Sequence, residues 1–341
     1  MRRVLVTGAD GVLGAEVVRA LRANAGLTVV GTTRRDDTGP GRVRWRIGGE
    51  AAPEPLRGHW DAIVHAAAST RWTMSRAKAI AANVVPTEAI LDLADSGTHV
   101  VHVSTAYVGG QRTEADLASA DFDGYRNGYE WSKARCEELV LAAHRAVTVV
   151  RPPLILGRRD DGAISRFSGP YTLLQALVSG LAAVVVGDPA GHAEVAPVDE
   201  VAGCVAAAVD RPADEQRVEV VAGGAQCLRL ADLLAIACAT INEWRADRGI
   251  PPIEAPPILA TPRWRRFYLP LARRELSEVQ NTAVDLLGMF EGYTSMSAPF
   301  EPTWPVTDPA TVLRRSVRYW ADHKPRLASR IPESWAMVPA R

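Results

Sequence analysis

Short β-branched, apolar runs alternate with helix-length amphipathic segments over the first half of the chain. Val4 to Thr7, Thr28 to Thr32, Val43 to Ile47, Ala62 to His65, Val100 to Ser104 and Val147 to Arg151 read as strands, and Leu13 to Asn24, Ala77 to Ala94 and Tyr129 to Ala143 as helices. Strands spaced by helices build βαβ units, so the pattern predicts an α/β fold, a doubly wound parallel sheet with helices on both faces. Beyond Gly157 the alternation stops. Sheet-like sequence returns at Ala193 to Val198 and Arg217 to Val221, and the rest is helical and punctuated by proline: Leu230 to Arg248, Leu269 to Leu287 and Pro309 to His323. This predicts a sheet domain over 1–160 plus about 190–225, and a smaller, mainly helical C-terminal substrate-binding lid over about 161–189 plus 226–341.

Composition narrows the class. With 341 residues, 47% hydrophobic and 23% charged, the chain is long enough for two packed domains and has no disordered or coiled-coil bias. Basic and acidic residues balance at 39 each, so no overall field draws it to nucleic acid or an anionic membrane. Cys136, Cys204, Cys227 and Cys238 are far apart and form no CxxC pair, which reads as scattered buried thiols and no metal site. A strand-like run begins at Val4, too early for a signal peptide, so the expected location is cytoplasmic. The longest uncharged stretch, Phe167 to Gly187, carries Gly169, Pro170, Gln175 and Gly180 and is not a membrane helix.

Thr7-Gly8-Ala9-Asp10-Gly11-Val12-Leu13-Gly14 joins the first strand to the first helix. Gly8 allows a sharp turn, Gly11 lets a pyrophosphate approach the backbone, and Gly14 lets the helix lie against the sheet, the signature of a Rossmann dinucleotide site. The second strand runs into Arg34 and Arg35, where an NAD-specific site would place an acid; two guanidiniums favour a 2′-phosphate, hence NADP(H).

Tyr129 and Lys133 stand four apart at a helix start, on one face. Only three of the 39 basic residues are lysines, Lys78, Lys133 and Lys324, so a lysine at this position is informative. An ammonium beside a phenol favours phenolate; lowering the phenol by roughly three units takes about 4 kcal/mol, and would make Tyr129 a usable general acid and base. The strand Val100 to Val103 leads into Ser104 and Thr105 at the carboxyl edge of the sheet, where a hydroxyl can donate to a carbonyl oxygen that gains charge. His65 and His102, in or beside buried strands, read as satisfied core histidines. Asp199-Glu200 reads as a structural pair, and Arg263 to Arg266 as an exposed cationic turn.

Together these residues resemble the extended short-chain dehydrogenase/reductase family, over most of residues 4 to 224. The resemblance implies that Thr105 is the catalytic hydroxyl and that Tyr129 and Lys133 complete the triad. It further implies that Ala66, Ala67 and Ala68 lie beside the cofactor, and that Pro152 and Pro153 sit in the segment facing the nicotinamide. Asn83-Val84-Val85-Pro86-Thr87 is similar to the family's Asn-Val-x-Gly-Thr helix, with proline in place of glycine. Ile47-Gly48-Gly49-Glu50 departs from the Gly-Asp that many relatives carry near the adenine. Ser104 to Val108, Pro197 to Asp199 and Ala68 to Trp72 look closest to the fatty-acyl reductase and thioester-reductase branch.

The expectation is an NADPH-dependent carbonyl reductase whose cofactor-binding residues are Gly8, Asp10, Gly11, Val12, Leu13, Gly14, Arg34, Arg35, Ala66, Ala67, Ala68, Tyr129, Lys133, Pro152 and Pro153. Its substrate would be an apolar ketone, aldehyde or acyl thioester of secondary-metabolite type, free or tethered to a carrier or CoA, with a homodimer through helices 77–94 and 129–143 as the family's usual assembly. The alternatives are a nucleotide-sugar epimerase or dehydratase, against which Ala106-Tyr107 stand where an Asp-Glu pair would follow the threonine, and a non-catalytic NADP-sensing protein, which commonly lacks the Tyr or Lys.

Overall fold

Val4, Leu5 and Val6 are wholly buried, as are Ile63, Val64, Val100 and Val101. Successive strand residues point to opposite faces, so unbroken burial means a sheet covered on both sides, which is why these strands read as continuous apolar runs. In a computed structural model, which describes residues 1–36, 39–109, 122–211 and 215–332, the chain divides into two units.

The first unit comprises Met1–Pro153, Val198–Val221 and Pro302–Trp304. Its strands are β1 (Arg2–Thr7), β2 (Leu27–Thr33), β3 (Arg42–Arg44), β4 (Ala62–His65), β5 (His99–Val103), β6 (Val147–Arg151), β7 (Gln216–Ala222) and β8 (Trp304–Pro305). They form an eight-stranded sheet in the order β8-β7-β6-β5-β4-β1-β2-β3, and β1 to β7 pair in parallel. The chain runs outward from β1 to β3 and returns on the other side of β1 with β4. That reversal opens a crevice at the carboxyl ends of β1 and β4, where such sheets bind ligands. Thr7 pairs with His65 and His65 with His102, which lines up three polar residues across the sheet.

The helices of this unit are α1 (Val12–Arg22), α2 (Arg76–Ala79), α3 (Val85–Leu91), α4 (Gly128–Ala143) and α5 (Val198–Asp210). On α1, Leu13, Val17, Val18 and Leu21 form one buried stripe. The single helix expected over 77–94 is interrupted, because α2 and α3 are joined by a π turn, Ile80–Val84. Pro86 has no N–H to donate to the carbonyl four residues back, and the helix widens there. The Asn127 side chain caps α4, accepting from Glu130 N at 3.0 Å. Asp199 and Glu200 lie in the first turn of α5, where carboxylates offset the helix dipole.

The second unit comprises Leu154–Pro197, Ala222–Glu301 and Pro305–Arg341. Helices Pro170–Val178, Leu230–Ala246, Glu278–Thr294 and Pro309–His323 supply its core, which includes Tyr171, Ile241, Trp244, Val312 and Trp320. The run expected as a strand over 193–198 forms Val195–Pro197, which pairs with Leu154–Leu156 in a small sheet of its own, and Val198 already begins α5. Among the described residues no helix is long and apolar enough to cross a membrane, and no group of three His, Cys, Asp or Glu could hold a metal ion.

Candidate functional site

The glycine turn is built by backbone geometry. Gly8 adopts φ +67°, and a Cβ there would lie 2.8 Å from the Ala67 backbone. Only a glycine lets that turn pack against the Ala66–Ala68 segment. A Cβ on Gly14 would strike the Gly8 carbonyl. Gly11 is the N-cap of α1 and offers no side chain to its first amides, so the N–H groups there fit a pyrophosphate.

At the end of β2, Arg34 and Arg35 are exposed. Asp10 is tied to this corner: the Thr33 hydroxyl donates to its carboxylate, Arg42 Nη1 lies 3.2 Å from Oδ1 and Arg35 Nε 4.0 Å from Oδ2. Arg44 Nε lies 2.7 Å from Asp36 Oδ1. Sequence reading found Arg34 and Arg35 but not Arg42 and Arg44: the strand expected over 43–47 forms over Arg42–Arg44, and its pairing with β2 brings these arginines to the same corner.

Thr105 follows β5 and is 4% exposed. Its hydroxyl is hydrogen-bonded to that of Tyr129, on the first turn of α4. Ala106 N donates to Pro152 O at 2.9 Å, which joins the Thr105 turn to the Pro152-Pro153 segment. One helical turn beyond Tyr129, Lys133 is 2% exposed and its Nζ donates to His102 Nε2 at 3.1 Å. The triad residues and the glycine turn therefore lie within one unit, at the carboxyl side of one sheet.

The electrostatics differ from the expectation that Lys133 lowers the Tyr129 phenol. Burial holds the Tyr129 pKa above its ordinary value, with Glu130 and Cys136 adding to the rise and the Thr105 bond opposing it. Burial also lowers Lys133, against the pull of Cys136 and Glu137.

Beneath the triad lies a polar network that sequence reading took as separate core residues. His65 Nδ1 meets Thr7 Oγ1 at 2.8 Å and its Nε2 meets Thr87 Oγ1 at 3.2 Å. Thr7 Oγ1 also accepts from Ala67 N, beside the glycine turn, at 3.3 Å. Burial pushes His65 down to about 3 and His102 well below the usual histidine range, with Lys133 contributing to both. Asn83, on the π turn, donates to Ser69 O at 3.1 Å and Ser132 Oγ at 2.8 Å, and Ser132 Oγ donates to Tyr129 O at 2.8 Å. His65 is satisfied on both nitrogens, as a core histidine should be; His102 is bonded to Lys133 and its buried Nδ1 has no partner among the described residues.

The second unit encloses a cavity of about 90 Å³, lined by Leu154, Leu174, Leu234 and Phe290 among other apolar side chains. Its polar lining is already engaged. Gly157 N donates to the Tyr171 and Ser316 hydroxyls at 2.9 and 3.1 Å, and Thr294 Oγ1 donates to Phe290 O at 3.1 Å.

The largely parallel eight-stranded sheet with its glycine turn after β1 defines a Rossmann-like α/β protein. The male sterility protein family model matches residues 49–205, somewhat under half of the chain. The fatty acyl-CoA reductase wat of Drosophila melanogaster is 27% identical over a stretch covering 40% of this chain and 33% of that protein, so the chain spans about a third of that relative's length. Among solved structures, the terminal R domain from the myxalamid PKS-NRPS biosynthetic pathway has a TM-score of 0.70 at 20% identity, covering 98% of this chain and 93% of that one. The PhqB reductase domain from Penicillium fellutanum has 0.66 at 18%, covering 95% and 94%. WbmH of Bordetella bronchiseptica, in complex with NAD+, has 0.62 at 16%, covering 95% and 99%. At these identities the likeness shows the fold.

Proposed function

We propose that the protein is an NADPH-dependent carbonyl reductase that acts on a ketone, aldehyde or acyl thioester of an apolar, secondary-metabolite-like substrate. The observation that carries the reading is the hydrogen bond between the Thr105 and Tyr129 hydroxyls with Lys133 one turn further along α4. A reduced nicotinamide, when bound, supplies hydride to the carbonyl carbon. Thr105 Oγ1 donates to the carbonyl oxygen as negative charge builds on it. Tyr129 Oη gives that oxygen its proton, and a phenol that stays protonated at neutral pH is in the correct form to do so. Lys133, one turn further along α4, would hold the ribose hydroxyls through its ammonium donors.

Gly8, Gly11 and the first amides of α1 suit the pyrophosphate, and Arg34 and Arg35, with Arg44 nearby, suit a 2′-phosphate. Within the second unit, the cavity is apolar and its hydroxyls are already bonded within the protein, so a sugar would find few partners there. The reductase-domain relatives support a substrate tethered to a carrier or CoA, and NAD retained through purification would instead support an epimerase.

The test is dinucleotide absorbance against a panel of ketones, aldehydes and acyl thioesters, with Tyr129→Phe as control. The variant is expected to lose about 10²- to 10⁴-fold in kcat with its dinucleotide affinity kept. A variant equal to wild type on an accepted substrate overturns the proton-donor role.

A further inference from the structure

We propose that His102 is the positioning residue of this site: as a neutral imidazole protonated on Nδ1, it holds the Lys133 ammonium through the lone pair on Nε2. The proposal rests on the reductase reading for its consequence in turnover, but its geometry stands apart from it.

An ammonium has three donors and no acceptor. Among the described residues Lys133 Nζ has one hydrogen-bond partner, His102 Nε2 at 3.1 Å, and both side chains are buried, at 2% and 0% exposure. Nε2 must therefore supply a lone pair, and the ring proton sits on Nδ1. That nitrogen is buried without a partner among the described residues. A histidine kept only for packing would gain by satisfying both nitrogens, as its neighbour does. His65 has a partner at each nitrogen, its Nδ1 facing the Thr7 hydroxyl at 2.8 Å and its Nε2 facing Thr87 at 3.2 Å, and its ring lies 5.4 Å from that of His102.

The arrangement keeps one cation in the pocket. Protonating His102 would remove the acceptor and set a second positive charge against Lys133. Burial and Lys133 itself oppose that step in both histidines. The other titratable groups around the pair are Tyr129, Cys136 and Glu137 on α4, with Glu88 of α3 acting on Cys136 and Arg151 of β6 paired to Glu137. With one ammonium proton committed to His102, the remaining two serve the crevice, where a ribose and the Tyr129 phenol region would be met.

The test uses the small number of lysines. With ¹³C-labelled lysine only Lys78, Lys133 and Lys324 report, so the Lys133 titration is read directly in the full-length protein. His102→Gln keeps an acceptor but cannot titrate; His102→Leu keeps the bulk and removes the acceptor. We expect His102→Leu to lower the Lys133 midpoint by about one unit, a tenfold loss of proton affinity, and His102→Gln to restore it. In ¹⁵N-histidine spectra, the signals lost in His102→Gln are expected to be those of an Nδ1-protonated, neutral ring.

On an accepted substrate, the alkaline limb of the kcat profile should move down in His102→Leu and return in His102→Gln. Equal Lys133 midpoints in the two variants, or an Nε2-protonated ring in wild type, overturns the proposal. The two spectra decide this without turnover, so a protein that reduces nothing would sink the reductase reading and leave this one standing.

Discussion

Arg151, the last residue of β6, grips Glu137 of α4 with both ends of its fork: Nε donates to Oε1 at 3.0 Å and Nη2 to Oε2 at 2.5 Å. The Glu137 side chain is 4% exposed and that of Arg151 29%. The pair fastens the helix that carries Tyr129 and Lys133 to the strand whose end leads to Pro152. Arg151→Ala would leave a buried carboxylate uncompensated, so it should destabilise the first unit by about 3–5 kcal/mol. Urea denaturation followed by circular dichroism measures this. A loss under about 1 kcal/mol would mean that water reaches Glu137 and the pair is a surface one.

Gly14→Ala tests whether the glycine turn receives the dinucleotide, as proposed. Its Cβ would land on the Gly8 carbonyl, forcing α1 away from the loop. Titration calorimetry with NADPH should show affinity reduced by at least about tenfold, which corresponds to 1.4 kcal/mol, in a protein that still unfolds cooperatively.

Cofactor choice should follow the end of β2. Arg34→Asp is expected to raise KM for NADPH and lower it for NADH, changing their ratio by about tenfold or more, since a charge-assisted phosphate contact becomes a repulsion. An unchanged ratio would remove Arg34 from the assignment and shift attention to Arg44.

The two buried histidines predict acid lability. An unfolded histidine takes its proton near 6.5, whereas folded His65 does so only at about 3. The unfolded state therefore binds more protons across that window. The stability contributed by the neutral ring is fully present above about pH 6.5 and is lost as pH falls toward 3, at about 1.4 kcal/mol per pH unit for each such group. Thermal melts between pH 7 and pH 4.5 should show a shallower decline for His65→Gln than for wild type, and equal slopes would mean that His65 is charged in the fold.

Much of this was legible along the chain. The parallel sheet followed from the spacing of apolar runs, the sharp turn from three glycines between a strand and a helix, and the placement of Tyr129 and Lys133 one turn apart on α4 from helical periodicity. What escaped depends on which strands lie side by side. His102 faces Lys133, and His65 faces Thr7, because the registers of β1, β4 and β5 bring Thr7, His65 and His102 level. Nothing within a few residues of each encodes that alignment. The Arg42–Asp10 contact was hidden for the same reason, since the pairing of β3 with β2 that sets it is not encoded locally. The raised phenol of Tyr129 was missed because its burial depends on residues distant in sequence.

Pro86 sets a mechanical constraint on this protein. By stopping α3 from continuing regularly into α2, it slips the backbone phase at Ile80–Val84, and in that phase Asn83 reaches Ser69 and Ser132. Each residue of a regular helix turns its neighbours by about 100°. A one-residue deletion before Pro86 would therefore swing Asn83 off its partners and unlatch the segment that steadies Tyr129. Shortening in this stretch should abolish turnover even in proteins that fold, while changes of side-chain type on its outer face are absorbed.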